Sequence, residues 1–195
     1  TKETDITVKL NIDGSGKSNI NTSIGILDHM LELFAFHGFF DLDITAKGDL
    51  KVDIHHTNED IGIVLGQAFK KALGDKKGIK RFGDASVPME DVVASVVADI
   101  SGRGFLKFCS FEGKESGNMI ASGVQDGYEL GDVTHFFDAL AKNLGINLNI
   151  KVSLPISDLH TTLEPVFKAL GKALDEATQI DPRRKGIPST KGVID

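Results

Sequence analysis

Hydrophobic and polar residues alternate with two different periods along this chain, and the two periods predict strands and helices in turn. In the first half, apolar residues recur at every second position in four segments, which predict strands at 6–12, 17–22, 40–46 and 50–54. A Gly-rich turn sequence at 13–16 joins the first two strands and predicts a hairpin. Apolar residues at helical spacing predict helices at about 28–36 and 58–73.

The second half of the chain repeats this order of elements. Strands are predicted at 92–100, 105–111 and 146–154, with one more strand before the first helix, and helices at about 133–143 and 163–177. Pro165 is expected in the first turn of the last helix, where its missing N–H costs nothing. The polar connection at 74–78 divides the chain into halves, 1–78 and 79–195, and a C-terminal tail belongs to the second half.

The composition predicts a compact soluble enzyme. A chain of 195 residues with 41% hydrophobic and 26% charged residues can bury a substantial core in one large domain or two small ones. The net charge of −6 and the lack of a dense basic tract argue against a nucleic-acid partner. No apolar run has the length of a membrane span, no signal-peptide segment is recognised, and the single Cys109 suits a reducing compartment, so we expect no membrane and a cytoplasmic location.

The first candidate for chemistry is a His-His-x-x-Glu sequence at 55–59. Residues four apart lie on one face of a helical turn, so His55 and Glu59 can approach one metal ion while His56 points elsewhere. Imidazole nitrogen combined with carboxylate oxygen suits Mn, Fe, Zn, Ni or Co better than Mg or Ca. Alone, the motif is as well explained by an exposed histidine pair at a helix start.

A weaker copy of this sequence, His160-Thr161-Thr162-Leu163-Glu164, makes the metal interpretation stronger. The two halves align at an offset of 105 to 106 residues, and five of the six histidines fall on matched positions. The matched pairs are His29 with His135, His55 with His160, Glu59 with Glu164, and the downstream glycines Gly66 with Gly171. We interpret this as an internal duplication that carries two metal sites. His37 has no counterpart and is expected to be structural.

Along essentially its whole length, the chain resembles the imidazoleglycerol-phosphate dehydratase family, the lyases of histidine biosynthesis. The resemblance rests on six motifs in the same order: Leu27-Asp28-His29-Met30-Leu31, His55-His56-x-x-Glu59-Asp60, Arg81-Phe82-Gly83-Asp84-Ala85, Asp99-Ile100-Ser101-Gly102-Arg103, Thr134-His135-Phe136-Phe137 and Pro188-Ser189-Thr190-Lys191-Gly192. It implies a duplicated α/β fold of the α+β kind, with two four-stranded sheets and helices packed between them. It also implies a homo-oligomer of 24 subunits, with the active sites at subunit interfaces.

The resemblance further implies two divalent metal ions per active site, with Mn as the expected metal. The implied metal ligands are His29, His55, His56, Glu59, His135, His160 and Glu164. The implied catalytic residues are Glu3, His55, His56, Glu59, His160 and Glu164. The implied substrate-binding residues are Glu3, His29, His55, His56, Glu59, Arg81, Arg103, His160, Lys168, Ser189, Thr190 and Lys191, with the basic side chains and the tail serving the phosphate.

The implied reaction converts imidazole glycerol phosphate to imidazole acetol phosphate and water. The glycerol chain has no carbonyl to acidify its hydrogens, so the imidazole ring, bound to metal as imidazolate, is expected to expel the hydroxyl group. A carboxylate then removes the neighbouring C–H proton and leaves an enol that becomes the ketone. Glu3 is the leading candidate for this proton transfer, since Glu59 and Glu164 are expected to bind metal.

The chain departs from the family pattern at Thr161, where a second histidine is expected. The loop at 153–158 is predicted to be one residue longer than usual. A Thr hydroxyl is a poor ligand for a transition metal. Three explanations stay open: a water fills the position, which we favour; Asp158 moves in as a ligand; or the enzyme is weakened.

Two functions of other classes compete with the dehydratase. Thr161 favours a metal-binding shell protein that has lost its chemistry, whereas Glu3, the two arginines and the tail sequence argue against it because substrate binding is their shared purpose. A metallohydrolase needs an open metal site and a general base, but the ligand order at 55–59 differs from that of HExxH proteins.

Overall fold

The computed structural model describes residues 1, 3–114, 124–153 and 158–194. Their helices and strands, in chain order, are β1 (Thr4–Asn11), β2 (Ser18–Asn21), α1 (Gly25–His37), β3 (Asp41–Gly48), α2 (His55–Leu73), β4 (Phe82–Met89), β5 (Val92–Asp99), β6 (Phe105–Ser110), α3 (Leu130–Leu144), β7 (Asn147–Val152) and α4 (Leu159–Thr178). β4 is the one described strand before α3 in the second half beyond those predicted at 92–100 and 105–111; the additional strand there was predicted without a position. Most of the loop at 153–158, whose length we predicted, lies outside the described residues.

The first sheet has the strand order β1-β3-β2, which contradicts the predicted hairpin. β1 pairs with β3 in antiparallel fashion, whereas β2 pairs with the other edge of β3 in parallel, with Ser18 opposite Leu42. The central strand buries Leu42, Ile44 and Ala46 on one face. Because its two neighbours both come from earlier in the chain, β3 has to insert between them, and the turn at 13–16 joins strands that do not pair.

Residues 50–54 form no strand, so the predicted second strand there is wrong. Their alternation of apolar residues has another cause: Leu50 and Ile54 pack against the core, while Val52 between them is 76% exposed. The amide of Val52 donates to the carbonyl of Asp49 in a turn. Within the described residues the first sheet therefore has three strands instead of the expected four.

The second sheet has four strands in the order β4-β5-β7-β6, with β6 parallel to β7 and the other pairs antiparallel. Both sheets are covered by helices: α1 and α2 contact the first sheet, and α3 and α4 contact the second. The two helical layers also contact each other, α2 against α3 and α1 against α4. This agrees with the expected α+β architecture, in which helices separate two sheets.

Each of the two interhelical contacts joins a helix of one half to a helix of the other half. The second helix of each half packs on the first helix of the other half, and the matched glycines make both contacts close. A Cβ atom on Gly66 of α2 would lie 2.9 Å from the carbonyl oxygen of Leu140 on α3. One on Gly171 of α4 would lie 2.5 Å from the carbonyl oxygen of Phe34 on α1. The duplicated glycines therefore let the helix backbones approach each other.

Both helices that carry the His-x-x-x-Glu sequences begin earlier than their apolar periodicity predicts. α2 begins at His55 rather than at 58, and α4 begins at Leu159 rather than at 163. Asp158 caps α4 by accepting a hydrogen bond from the amide of Thr161 at 2.8 Å. Pro165 consequently lies inside the helix. Our prediction that it lies in the first turn is wrong.

Candidate active site

The first group of candidate ligands joins α1 to α4 and is called here the His29 cluster: His29, His160 and Glu164. One ligand atom from each residue lies within 4.8 Å of the others. Nε2 of His160 is 3.1 Å from Oε2 of Glu164, one turn further along α4. The rings of His29 and His160 are stacked, with centroids 5.2 Å apart. Two imidazoles and a carboxylate at this spacing form a donor set that fits a transition-metal ion.

The second group joins α2 to α3 and is called here the His55 cluster: His55, Glu59 and His135. Nε2 of His55 lies 3.4 Å from Oε2 of Glu59, again one helical turn away. The Nδ1 atoms of His55 and His135 are 2.9 Å apart, and the two rings are close to perpendicular. The same three residue types are therefore neighbours at a second place, but His55 turns Nε2 toward Glu59 and Nδ1 toward His135, so among the described residues only the His29 cluster brings three ligand atoms together.

Each cluster takes its candidate ligands from both halves of the chain. His55 and Glu59 of the first half meet His135 of the second, whereas His160 and Glu164 of the second half meet His29 of the first. The exchange follows directly from the helix packing, because α2 lies on α3 and α4 on α1. Sequence matching identified the equivalent residues, and the interhelical contacts determine which of them meet.

Glu164 is also in contact with a cation. Nζ of Lys168, one turn further along α4, is 2.5 Å from Oε1 of Glu164. Partial burial works to raise the pKa of the Glu164 carboxyl, but the hydrogen bond and charge of Lys168, together with His160, outweigh it and hold that pKa below its usual value. The carboxylate is therefore kept ionised, as a metal ligand has to be.

The second histidine of the first motif lies outside both clusters. His56 is exposed, and its Nδ1 lies 4.0 Å from Oδ1 of Asp49. The matched position in the second motif is Thr161, whose amide is held by the capping carboxylate of Asp158. One oxygen of Asp158 is thus engaged at the helix terminus, which argues against Asp158 as a substitute ligand.

Comparison with known proteins identifies the family to which this arrangement belongs. Residues 22–174 match the family model described as imidazoleglycerol-phosphate dehydratase. The chain belongs to the imidazoleglycerol-phosphate dehydratase family. It is therefore a hydro-lyase of histidine biosynthesis, and the metallohydrolase and the non-catalytic shell protein are set aside.

Relatives in this family match over the full length of the chain. Imidazoleglycerol-phosphate dehydratase of Acetivibrio thermocellus is 52% identical over 195 residues, covering 100% of this chain and 95% of the relative. A solved structure of the enzyme from Pyrococcus furiosus, in complex with (S)-C348, has a TM-score of 0.80 at 37% identity and covers 99% of this chain and 97% of that one. The Staphylococcus aureus enzyme has a TM-score of 0.75 at 35% identity, with 90% and 94% covered.

The N-terminal segment carries the dehydratase candidate Glu3 to the start of α2. Glu3 is exposed immediately before β1. The next residue, Thr4, donates from Oγ1 to Oδ2 of Asp60 at 2.5 Å, and Asp60 follows Glu59 of the His55 cluster. The hydrogen bond therefore fixes the backbone beside Glu3 to the helix turn that carries one cluster.

Arg81, one of the phosphate candidates, makes contacts within the chain. Its guanidinium donates two hydrogen bonds to Asp99, at 2.6 and 3.1 Å, and a third to the carbonyl of Pro188 at 2.9 Å. The last bond attaches the tail that carries Ser189, Thr190 and Lys191. Arg81 thus orients the tail as well as contributing charge.

The remaining candidates for phosphate binding lie between β5 and β6 and in the C-terminal tail. Arg103 and Lys191 are exposed, as is Thr190, while Ser189 is partly buried and its Oγ accepts from the amide of Lys191 at 3.2 Å.

Sequence reasoning did not identify Asp99 as the partner of Arg81, although Asp99 opens one of the quoted motifs. It also did not identify Asn58 or Tyr128, whose buried side chains meet between α2 and α3. The available signal for Asn58 was its polar side chain at a position of α2 where the helical period predicts an apolar residue.

Proposed function

We propose that the dehydratase reaction of this chain depends on two divalent metal ions, with Mn as the expected metal. The observation that carries the proposal is the His29 cluster, whose three ligand atoms lie within 4.8 Å of one another. The His55 cluster repeats its donor types on the other pair of helices. Metal ions bound there would act as Lewis acids toward the imidazole ring of the substrate.

The ligand set for these ions consists of the two clusters and His56. Within each cluster the histidine and glutamate one turn apart are on one helical face, so little side-chain entropy is lost on binding. His56 points away from His55 and is available to a different ion from the one that His55 binds. Thr161 offers no equivalent nitrogen, and we propose that a water takes this coordination position.

The phosphate of the substrate is proposed to bind Arg81, Arg103, Lys168, Ser189, Thr190 and Lys191. Arg81 supports this assignment through its hydrogen bond to Pro188, because the bond keeps the tail next to the guanidinium. Asp99 fixes the plane of that guanidinium through two parallel hydrogen bonds. Lys168 is held by Glu164 and would have to share its ammonium between the carboxylate and the phosphate.

Glu3 is proposed to transfer the proton of the C–H bond that breaks. The hydroxyl group of the substrate's glycerol chain is expelled as hydroxide, Glu3 takes the C–H proton while the electrons of that bond form the enol, and transfer of this proton to the hydroxide gives water. The enol then becomes the ketone of imidazole acetol phosphate. Glu3 suits this task because its carboxylate is exposed and belongs to neither cluster. The bond from Thr4 to Asp60 keeps it near α2.

The chain is further proposed to act in the cytoplasm as a homo-oligomer of 24 subunits, with a small phosphorylated imidazole as its substrate. The resemblance to the family supports this assembly. Within the described residues, no helix is long and apolar enough to cross a membrane.

The proposed function is tested by measuring bound metal and turnover in the same samples. Two Mn²⁺ per subunit and conversion of imidazole glycerol phosphate to the acetol phosphate are expected for the wild type. E3Q should keep both metals and lose turnover, by about a hundredfold or more for a missing general base. D5N, a matched change of a neighbouring exposed acid, should keep both. Full activity of E3Q would remove Glu3 from the mechanism, and an active metal-free enzyme would refute the metal dependence.

A further inference from the structure

A hydrogen-bonded bridge of buried polar side chains joins α2 to the start of α3. The hydroxyl of Tyr128 donates to Oδ1 of Asn58 at 2.7 Å, and Nδ2 of Asn58 donates to the carbonyl of Asp132 at 2.7 Å. Asn58 is completely buried and Tyr128 is 1% exposed. The hydrogen bond from Tyr128 to Asn58 is costly to break, because it would leave the Tyr128 hydroxyl and Oδ1 of Asn58 buried without the bond that compensates for their burial.

The bridge lies at the helix turns that hold the His55 cluster. Asn58 immediately precedes Glu59 and is three residues after His55, all in the first turns of α2. Asp132 lies in the first turn of α3, three residues before His135. Tyr128 is fixed in turn by two backbone hydrogen bonds to Gln125. The bridge therefore connects the two backbone segments whose separation determines how far His55 is from His135.

The matched positions on the other helix pair, α4 with α1, do not form this bridge. The position that matches Asn58 is Leu163, which is fully buried in the core between the two ligands on α4. The position that matches Tyr128 is Thr22, whose hydroxyl instead bonds Asp28 within its own segment. An apolar residue is therefore compatible with the fold at this point, and the polar pair between α2 and the start of α3 calls for a separate reason.

We propose that Tyr128 and Asn58 are positioning residues, which hold α2 and α3 at the separation that lets His55, Glu59 and His135 bind one metal ion. The proposal rests on the proposed metal dependence. Groups that orient metal ligands without touching the metal commonly change metal affinity ten- to a hundredfold when removed. The effect should be confined to one of the two metals, since the His29 cluster lies on the other helix pair.

The test uses Y128F, N58L and the double variant Y128F/N58L, with T178V as a control. Y128F removes one hydroxyl and keeps the ring. N58L places in the first half the residue that the second half has at the matched position. T178V removes a buried hydroxyl that bonds a helix carbonyl at the far end of α4. Mn²⁺ binding to the metal-free assembled protein is measured by calorimetry, and stability by denaturant unfolding.

Each single variant is expected to weaken one of the two Mn²⁺ binding events about ten- to a hundredfold and to leave the other unchanged. In the double variant both polar groups are gone, so its free energy of unfolding should recover. Its affinity for the metal should stay low. This separation distinguishes positioning from a purely structural role, and T178V should lose stability alone. Y128F with wild-type affinity for both metals would overturn the proposal, even if N58L fails to fold.

The outcome for the wild type separates this inference from the proposed function. If wild-type protein binds two Mn²⁺ and H55A loses one, the metal dependence stands and only the variants decide the role of the bridge. If the wild type binds none, the metal dependence fails and the inference fails with it. Emission from the single tyrosine, in a chain without tryptophan, reports whether Tyr128 stays buried in N58L.

Discussion

His55 and His135 are 80 residues apart in the chain, yet their Nδ1 atoms lie 2.9 Å apart. The contact joins the first turn of α2 to α3, and it joins the two halves of the duplication. The two rings are therefore in direct contact between α2 and α3.

We expect the metal-binding effects of H55A and H135A to be non-additive. Residues in direct contact commonly couple by about 0.5–3 kcal/mol, because the second substitution removes an interaction that the first has already broken. H55A and H160A belong to different clusters and should give additive losses. Mn²⁺ affinities of the single and double variants measure both couplings. Additive losses for H55A and H135A would mean that the two rings do not share an ion.

Replacing Thr161 by histidine should tighten the binding of one Mn²⁺ by about tenfold or more, since an imidazole replaces a poor ligand. Turnover should rise with it if this site limits catalysis. T161N, with a polar side chain but no imidazole, is the matched control and should leave the affinity unchanged. Equal affinity of T161H and wild type would show that residue 161 does not face a coordination position held by water.

A methyl group at Gly66 should destabilise the fold by about 1–3 kcal/mol through overpacking between α2 and α3. The added Cβ would lie 2.9 Å from Cβ of Asn143 and from the carbonyl oxygen of Leu140. G131A is the control, because a Cβ at this exposed helix position meets nothing within 4 Å and should stabilise the helix by up to about 1 kcal/mol. Denaturant unfolding measures both. Equal stability of G66A and wild type would show that the helices separate without cost.

Tyr128 should resist ionisation in alkaline solution. Burial, reinforced by the charge of Asp132, raises the pKa of its hydroxyl well above the ordinary value. Below a pH of about 10 the hydroxyl is neutral in both states and contributes no pH dependence. Above it the unfolded chain loses the proton first, so the free energy of unfolding should fall by about 1.4 kcal/mol per pH unit.

The chain contains one tyrosine, so the ultraviolet absorbance of tyrosinate reports this titration directly. It should appear together with alkaline unfolding and not before it. Y128F should lack this part of the pH dependence while keeping the part that the lysines contribute. Tyrosinate absorbance at its ordinary pKa in a folded protein would contradict the burial of Tyr128.

The helices and the repeated ligand positions were predictable because both are local properties of the sequence. Apolar spacing identified all four helices, and the duplicated spacing paired His29 with His135 and His55 with His160. All four helix starts were predicted three or four residues too late. In α2 and α4 the first turns carry site residues that interrupt the apolar period. Pro165 reinforced this error, since a proline inside a helix is unusual.

Long-range pairing could not be predicted in the same way. The turn at 13–16 suggested a hairpin, but the buried face of β3 is completed by one earlier strand on each side. Apolar alternation at 50–54 arose from two residues that pack on the core around exposed Val52. The meeting of His55 with His135 likewise depends on α2 packing on α3, which no local signal reports.

The exchange of ligands between halves has a consequence for how such a site could arise. An ancestral half-chain would have carried the equivalents of both His29 and His55, yet it would have completed a cluster only by pairing with a second copy of itself. Such a pair would hold two identical sites. After such a fusion the two sites could mutate independently, which would account for Thr161 at the position that matches His56 and for Leu163 at the position that matches Asn58.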